Sequence, residues 1–265
     1  MTDIKIRDFA INQLVPAASE SLRGFYKAYC IGQDIDVQTK GDDTPASLAD
    51  RETESKLRDL IKTRYPDHSI IGEEFGADIG TSDICWILDP LDGTKEFLAQ
   101  KTGHFGTIIG ILKGGVPFFG VIIDPIEGKS YSSLDTYPHK ADKPFHDLVL
   151  SCTNLESMFS GTDYYSGLNA MIEDIDRYMP SLNCLGFAKC ALGEIDLVIE
   201  RDLALHDIAG LIPVLKANEC TVIDFNGTSY LDREFDLDHA EEQKFDIIVA
   251  GHEKTALKAL DYIKR

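Results

Sequence analysis

Apolar residues recur at helical intervals over about residues 4–26, where Phe9, Leu14, Ala18, Leu22 and Phe25 share a stripe and predict a first helix. A second helix is predicted over about residues 47–63, with Leu57, Leu60 and Ile61 on its buried side. Tyr65-Pro66-Asp67 closes it, because proline disfavours helical geometry in the residue before it. The pattern then shortens to apolar runs at 69–72 and 85–88, which read as strands, the second stopped by Asp89-Pro90. Runs at 106–112 and 116–123 flank Lys113-Gly114-Gly115 and predict a hairpin. With few helices between these strands, the first sheet should be mostly antiparallel.

The polar segment 137–146 divides the chain into an N-terminal α+β domain, residues 1–145, and a C-terminal α/β domain, residues 146–265. The second part offers a strand at 148–152, a helix between 155 and 175, a helix at 185–192 and a strand at 195–200. Asp207 stands at the start of a helix over 208–216, and strands at 221–225 and 245–250 complete a mixed α/β pattern.

At 265 residues, 43% apolar and 27% charged, the chain has the composition of a globular protein with a substantial core. Its 45 acidic and 26 basic residues leave a formal charge of -19, which opposes unspecific binding to nucleic acid or an anionic membrane. An acidic protein needs local positive charge to hold an anionic substrate, and bound divalent cations would supply it. Asp3, Lys5, Arg7 and Asp8 interrupt the start of the chain, and no later run approaches 18 apolar residues, so a cytoplasmic protein is expected. The six cysteines are dispersed without a CxxC pair, which suits neither a zinc cage nor a disulfide scaffold.

The most informative stretch runs from Trp86 to Phe97 and reads WILDPLDGTKEF. Asp89 and Asp92, separated by Pro90 at a strand end, can direct two carboxylates into one pocket. Gly93 permits a sharp turn, and amides opening a helix at Thr94 can meet a phosphate. Such hard oxygen ligands suit Mg2+, whereas a surface turn capped by an aspartate is the ordinary alternative. Glu73-Glu74 is a further candidate ligand or a solvated face, and Asp207 is a candidate ligand or a helix cap.

Taken together, Gly72-Glu73-Glu74, the 86–94 stretch and His206-Asp207-Ile208-Ala209-Gly210 resemble the inositol monophosphatase family of metal-dependent phosphatases, over nearly the whole chain. The resemblance implies a layered α-β-α-β-α sandwich. It implies metal ligation by Glu73, Asp89, Asp92, Asp207 and the Leu91 carbonyl, with two Mg2+ ions and a weaker third as an alternative. Glu73 and Thr94 would orient and activate water, and Asp50, in the segment that begins at Lys40, would hold Thr94. Gly93, Thr94, Asn183, Glu200 and Asp207 would contact the substrate. His206 departs from the aromatic residue that the family places before this aspartate, and Pro180-Ser181-Leu182-Asn183 replaces its Gly-Ser-rich segment.

Within the family, the 72–76, 106–110 and 207–214 stretches resemble the histidinol-phosphatase branch, so histidinol phosphate is the expected substrate. Inositol 1-phosphate is an alternative, as is 3′-phosphoadenosine 5′-phosphate, whose branch is suggested by Gly93-Thr94-Lys95-Glu96-Phe97. A catalytically silent metal- or metabolite-binding regulator is the reading from a different class. A homodimer is compatible with catalysis, and no nucleic-acid or membrane partner is expected.

Overall fold

A computed structural model describes residues 2–39, 45–138 and 141–264; Lys40 lies outside them. The chain begins with α1 (Thr2–Phe9), a π-helical segment (Ala10–Leu14) and α2 (Val15–Cys30). The pair β1 (Gln38–Thr39) and β2 (Pro45–Ala46) precedes α3 (Leu48–Arg64). Then come β3 (Ser69–Gly72), β4 (Gly76–Asp78), β5 (Ile84–Asp92), α4 (Thr94–Leu98), β6 (Gly106–Lys113), β7 (Val116–Asp124) and β8 (Lys129–Ser132). The remainder holds β9 (Val149–Cys152), α5 (Leu155–Phe159), α6 (Tyr165–Glu173), β10 (Arg177–Pro180), α7 (Cys184–Leu192) and β11 (Leu197–Leu203). It ends with α8 (Leu205–Ile208), α9 (Leu211–Ala217), β12 (Thr221–Ile223), β13 (Phe245–Ala250) and α10 (Glu253–Ile263).

Two sheets organise these elements. The first has order β4-β3-β5-β6-β7-β8 and is antiparallel except for the β3–β5 pair; the second has order β10-β9-β11-β13-β12. Strand residues alternate between faces, and the alternation builds the layers. Ile84, Trp86, Leu88, Ile109 and Ile111 pack with Ile6, Leu14, Leu57 and Ile61 of the N-terminal helices. Their neighbours Cys85, Ile87, Ile108 and Ile122 turn the other way, onto Leu185, Ile208 and Ile212 of α7–α9, in a core that also takes Val198, Ile247 and Val249 from the second sheet. The far face of that sheet, through Leu197, Ile199 and Ile248, meets α6 and α10 at Leu168, Met171, Ala256 and Ala259. The result is the α-β-α-β-α sandwich that the motifs implied.

Several boundaries differ from the sequence reading. The first helix runs on to Cys30, with wide turns at Ala10–Leu14 just ahead of Pro16. Proline has no amide hydrogen and crowds the carbonyl four residues back, which a π turn relieves. The helix expected between 155 and 175 is two, broken at Gly161, whose φ is 77°. The helix expected over 208–216 is also split, so that Asp207 lies inside α8. Pro213 is tolerated only in a first turn, and the helix restarts at Leu211 to place it there. Strands β4, β8 and β10 were missed because they are short and mostly half-buried or exposed.

Candidate metal centre

Strand β5 does not stop at Asp89-Pro90; it continues to Asp92, with a register shift after Asp89, which pairs with Ile108, while Asp92 pairs with Gly106. Three residues on β5 therefore oppose two on β6. In a regular strand, residues three apart face opposite ways, and the extra residue brings Asp89 and Asp92 to one side. Thr107 Oγ1 donates to the Pro90 carbonyl at 2.8 Å and fixes the bulge. Asp89, 1% exposed, accepts from the Leu91 amide at 3.0 Å, and Asp92 accepts from the Cys184 amide at the start of α7.

The third carboxylate comes from the other sheet's side. Asp207 Oδ2 accepts from the Ala204 amide at 2.6 Å, which caps α8 and orients the side chain. The joint between α8 and α9 is pressed against β6 and β7. A Cβ on Gly110 would sit 2.8 Å from the Gly210 nitrogen, one on Gly120 would overlap the Gly210 carbonyl, and one on Gly210 would lie 2.6 Å from Ile108 Cγ2. Glycine at all three positions lets the backbones meet and carries Asp207 to the end of β5. Asp89, Asp92 and Asp207 each place one carboxylate oxygen within 4.8 Å of the others.

Glu73 opens the turn between β3 and β4, where its amide donates to the Leu88 carbonyl at 3.1 Å. Its carboxylate is near enough to Asp89 for its charge to raise that acid's pKa. On the opposite flank, Gly93 has φ 90°, and a Cβ there would meet the Asn183 amide nitrogen at 2.5 Å and the His104 carbonyl at 2.9 Å. Thr94 follows as the first residue of α4, with its hydroxyl 2.9 Å from Asp50 Oδ1 and 3.2 Å from the Leu91 carbonyl. Asp50 is fully buried, and its other oxygen accepts from the Ser47 amide and hydroxyl, each at 2.7 Å. The same carboxylate thus caps α3 and holds Thr94. Phe97 and Phe105, with ring centroids 5.1 Å apart, support this turn from beneath.

Glu200, at the end of the regular part of β11, is 2% exposed. Its Oε1 accepts from the Thr153 amide at 2.7 Å and hydroxyl at 2.9 Å, while Oε2 is buried without a hydrogen-bond partner among the described residues. Asn183 sits between Glu200 and the Gly93 turn. Its Nδ2 donates to the His104 carbonyl at 2.7 Å and to Glu96 at 3.2 Å, and its Oδ1 lies 3.4 Å from the Thr153 hydroxyl. The side chain amide of Asn183 therefore braces loops. His206 Nε2 is 3.7 Å from Asp207 Oδ1.

These acids raise one another's pKa. Burial, then the charges of Glu73, Asp92 and Asp207, push Asp89 well above the usual carboxylate range. Burial and the Asp207 charge raise Asp92 to about 7, although the Cys184 bonds pull it down. Burial also raises Asp207, opposed by the nearby His206. Glu200 is pushed up to about 8 by burial, against the lowering effect of Thr153. A set of oxygen donors under mutual repulsion fits a hard divalent cation.

The sequence reading missed Glu54, Thr153 and Cys184. Glu54 and Thr153 carried no motif signal, but Cys184, at the start of an apolar helix, was a position where an amide could meet an anion. None of the six cysteines forms a disulfide among the described residues, and five of them are buried. No helix among the described residues is long and apolar enough to cross a membrane.

Residues 5–261 match the model of the inositol monophosphatase family. Among curated relatives, the chain is 27% identical over 277 aligned positions to the chloroplastic bifunctional phosphatase IMPL2 of Arabidopsis thaliana, covering 100% of this chain and 77% of that protein. It is 30% identical over 240 positions to the Nus factor SuhB of Pasteurella multocida, covering 83% and 87%. Identity to the histidinol-phosphatase of Mycobacterium tuberculosis is 28% over 199 positions, covering 69% and 75%. An inositol monophosphatase from Zymomonas mobilis superposes with a TM-score of 0.78 at 22% identity, over 100% of this chain and 98% of that one, which shows the shared fold. No single branch dominates these likenesses.

Proposed function

The chain belongs to the inositol monophosphatase family, and from that premise we propose that it is a magnesium-dependent phosphomonoesterase whose substrate is histidinol phosphate. The observation that carries the reading is the convergence of Asp89, Asp92 and Asp207 from two separate parts of the fold. Those three, with Glu73 and the Leu91 carbonyl, would hold two Mg2+ ions, with a weaker third as an alternative. Bound Mg2+ neutralises phosphate charge, lowers the pKa of water and stabilises a leaving alkoxide.

The chain's own groups then have distinct tasks. The Thr94 hydroxyl, held by Asp50 Oδ1, orients the attacking water together with the Glu73 carboxylate. Gly93 and the first amides of α4 receive phosphate oxygens, because unpaired amides at a helix start favour an anion. Asp207 lies on the leaving-group side. No side chain needs to take the phosphoryl group, so hydrolysis is direct.

Glu200 supports the choice of substrate. Its unpaired buried oxygen would be satisfied by a donor, and a protonated amine would favour the ionised carboxylate. Asn183 is the other substrate contact we propose. Inositol 1-phosphate offers a hydroxyl to the same oxygen and is the second reading. The Gly93-Thr94-Lys95-Glu96-Phe97 stretch keeps 3′-phosphoadenosine 5′-phosphate as a third.

Phosphate release from these three compounds, at equal concentration with saturating Mg2+, tests the reading. Preference for histidinol phosphate is expected. Preference for either alternative moves the assignment to that branch, and no release by folded, Mg2+-bound protein would favour the silent regulator.

A further inference from the structure

We infer that Glu54, together with Arg58, is a positioning residue that sets the Glu73 carboxylate against the Asp89–Asp92–Asp207 cluster; the inference rests on the reading of Glu73 as a metal ligand. Glu54 lies on α3 and is 0% exposed. Its Oε2 accepts from the Glu74 amide at 2.8 Å, and its Oε1 accepts from the Phe75 amide at 3.3 Å and from Arg58 Nε at 2.7 Å. Arg58 continues to the Gly76 carbonyl, and its guanidinium stands 6.0 Å from the Phe75 ring centroid. One buried acid-base pair thus holds the backbone of residues 74–76, the whole return from Glu73 into β4.

Gly72 makes this approach feasible, because a Cβ there would lie 2.5 Å from Glu54 Cδ. On the other side of the turn, the Glu73 carboxylate stands near enough to Asp89 for its charge to raise that acid's pKa. The turn therefore lies between a buried brace and the acid cluster.

Stability alone gives little reason for such a pair. Desolvating two charges offsets most of their attraction, and apolar residues of similar volume often serve a core as well. What a carboxylate adds here is two directed bonds to turn amides. Repulsion from Asp89, Asp92 and Asp207 would otherwise drive Glu73 outward.

A double-mutant cycle on magnesium dependence tests this. The variants are Glu54→Gln, Glu73→Gln and both together, with thermal melting to establish that each folds. Glu54→Gln replaces one acceptor oxygen by a donor that opposes a turn amide. It should raise the Mg2+ dissociation constant measured by calorimetry on the metal-free protein, and with it the Mg2+ concentration for half-maximal phosphate release, at least about tenfold, the usual scale for a residue that orients a ligand. The double variant should be no worse than Glu73→Gln alone. If Glu54→Gln leaves too little folded protein, Arg58→Lys keeps the buried charges balanced, loses the bond to the Gly76 carbonyl, and should shift the same midpoint by about three- to tenfold.

A folded Glu54→Gln or Arg58→Lys protein with the normal Mg2+ midpoint would overturn the inference, as would effects of Glu54→Gln and Glu73→Gln that simply multiply. A normal midpoint in Glu73→Gln would instead refute the ligand role of Glu73 itself, and the positioning role with it.

Discussion

Gly120 of β7 lies directly beneath Gly210, so close that a Cβ on Gly120 would overlap the Gly210 carbonyl oxygen. This contact joins the α8–α9 joint to the first sheet and sets how far Asp207 stands from Asp89 and Asp92. Gly120→Ala should cost about 1–3 kcal/mol of stability through overpacking. Because the joint must back away, Mg2+ affinity should fall as well. Thermal denaturation and magnesium titration by calorimetry would measure the two effects.

Thr94 and Asp50 act as a unit in the proposed mechanism. Thr94→Val removes the hydroxyl that meets Asp50 Oδ1 at 2.9 Å. The rate at saturating substrate should fall about a hundredfold, the lower end for losing a group that handles the reacting proton. Asp50→Asn should lose activity too and also destabilise, since its other oxygen caps α3. Melting temperatures and steady-state kinetics would separate these outcomes.

The acid cluster gives the metal-free protein a particular pH response. Asp92 is raised to about 7 and Glu200 to about 8, whereas the unfolded chain releases these protons in the ordinary carboxylate range. Their protonation favours the folded state, so the stability they contribute is complete below that range and is lost as pH rises through 7 and 8. The slope is up to about 1.4 kcal/mol per pH unit for each group. Melting of the metal-free protein should therefore fall between pH 5 and 8, and Mg2+ should restore it most strongly at the alkaline end. A melting temperature that is flat or rises over this interval would refute the repulsion described for the cluster.

How much could be read from the chain depended on the kind of signal. The strand at 85–88 was readable as an unbroken apolar run, because Trp86 and Leu88 are covered on one face and Cys85 and Ile87 on the other, whereas the layered sandwich was implied by the resemblance of the motifs. The acidic residues stood out by their motifs, yet their convergence depends on a bulge after Asp89 and on contacts that Gly210 makes with the distant Gly110 and Gly120. Glu54 gave no sign, because an acid on an amphipathic helix ordinarily faces water. Its burial follows from tertiary packing against Gly72. Strand β10 escaped notice for a related reason, since its pairing with β9 and not its composition makes it a strand.

Substrate choice should reside at Glu200. Glu200→Gln keeps the shape but loses the charge that would favour an ammonium group. Its kcat/KM for histidinol phosphate should fall about tenfold or more, and the loss for inositol 1-phosphate should be smaller. Equal losses on both compounds would remove Glu200 from substrate discrimination.

The central claim is that Asp89, Asp92 and Asp207 form a catalytic magnesium site. Asp92→Ala tests it most directly, with Mg2+ binding by calorimetry and phosphate release measured on the same folded sample. Removing one of several repelling carboxylates should leave the metal-free protein at least as stable as before, while Mg2+ binding and phosphate release are lost together. A folded Asp92→Ala protein that binds Mg2+ and releases phosphate normally would contradict the account.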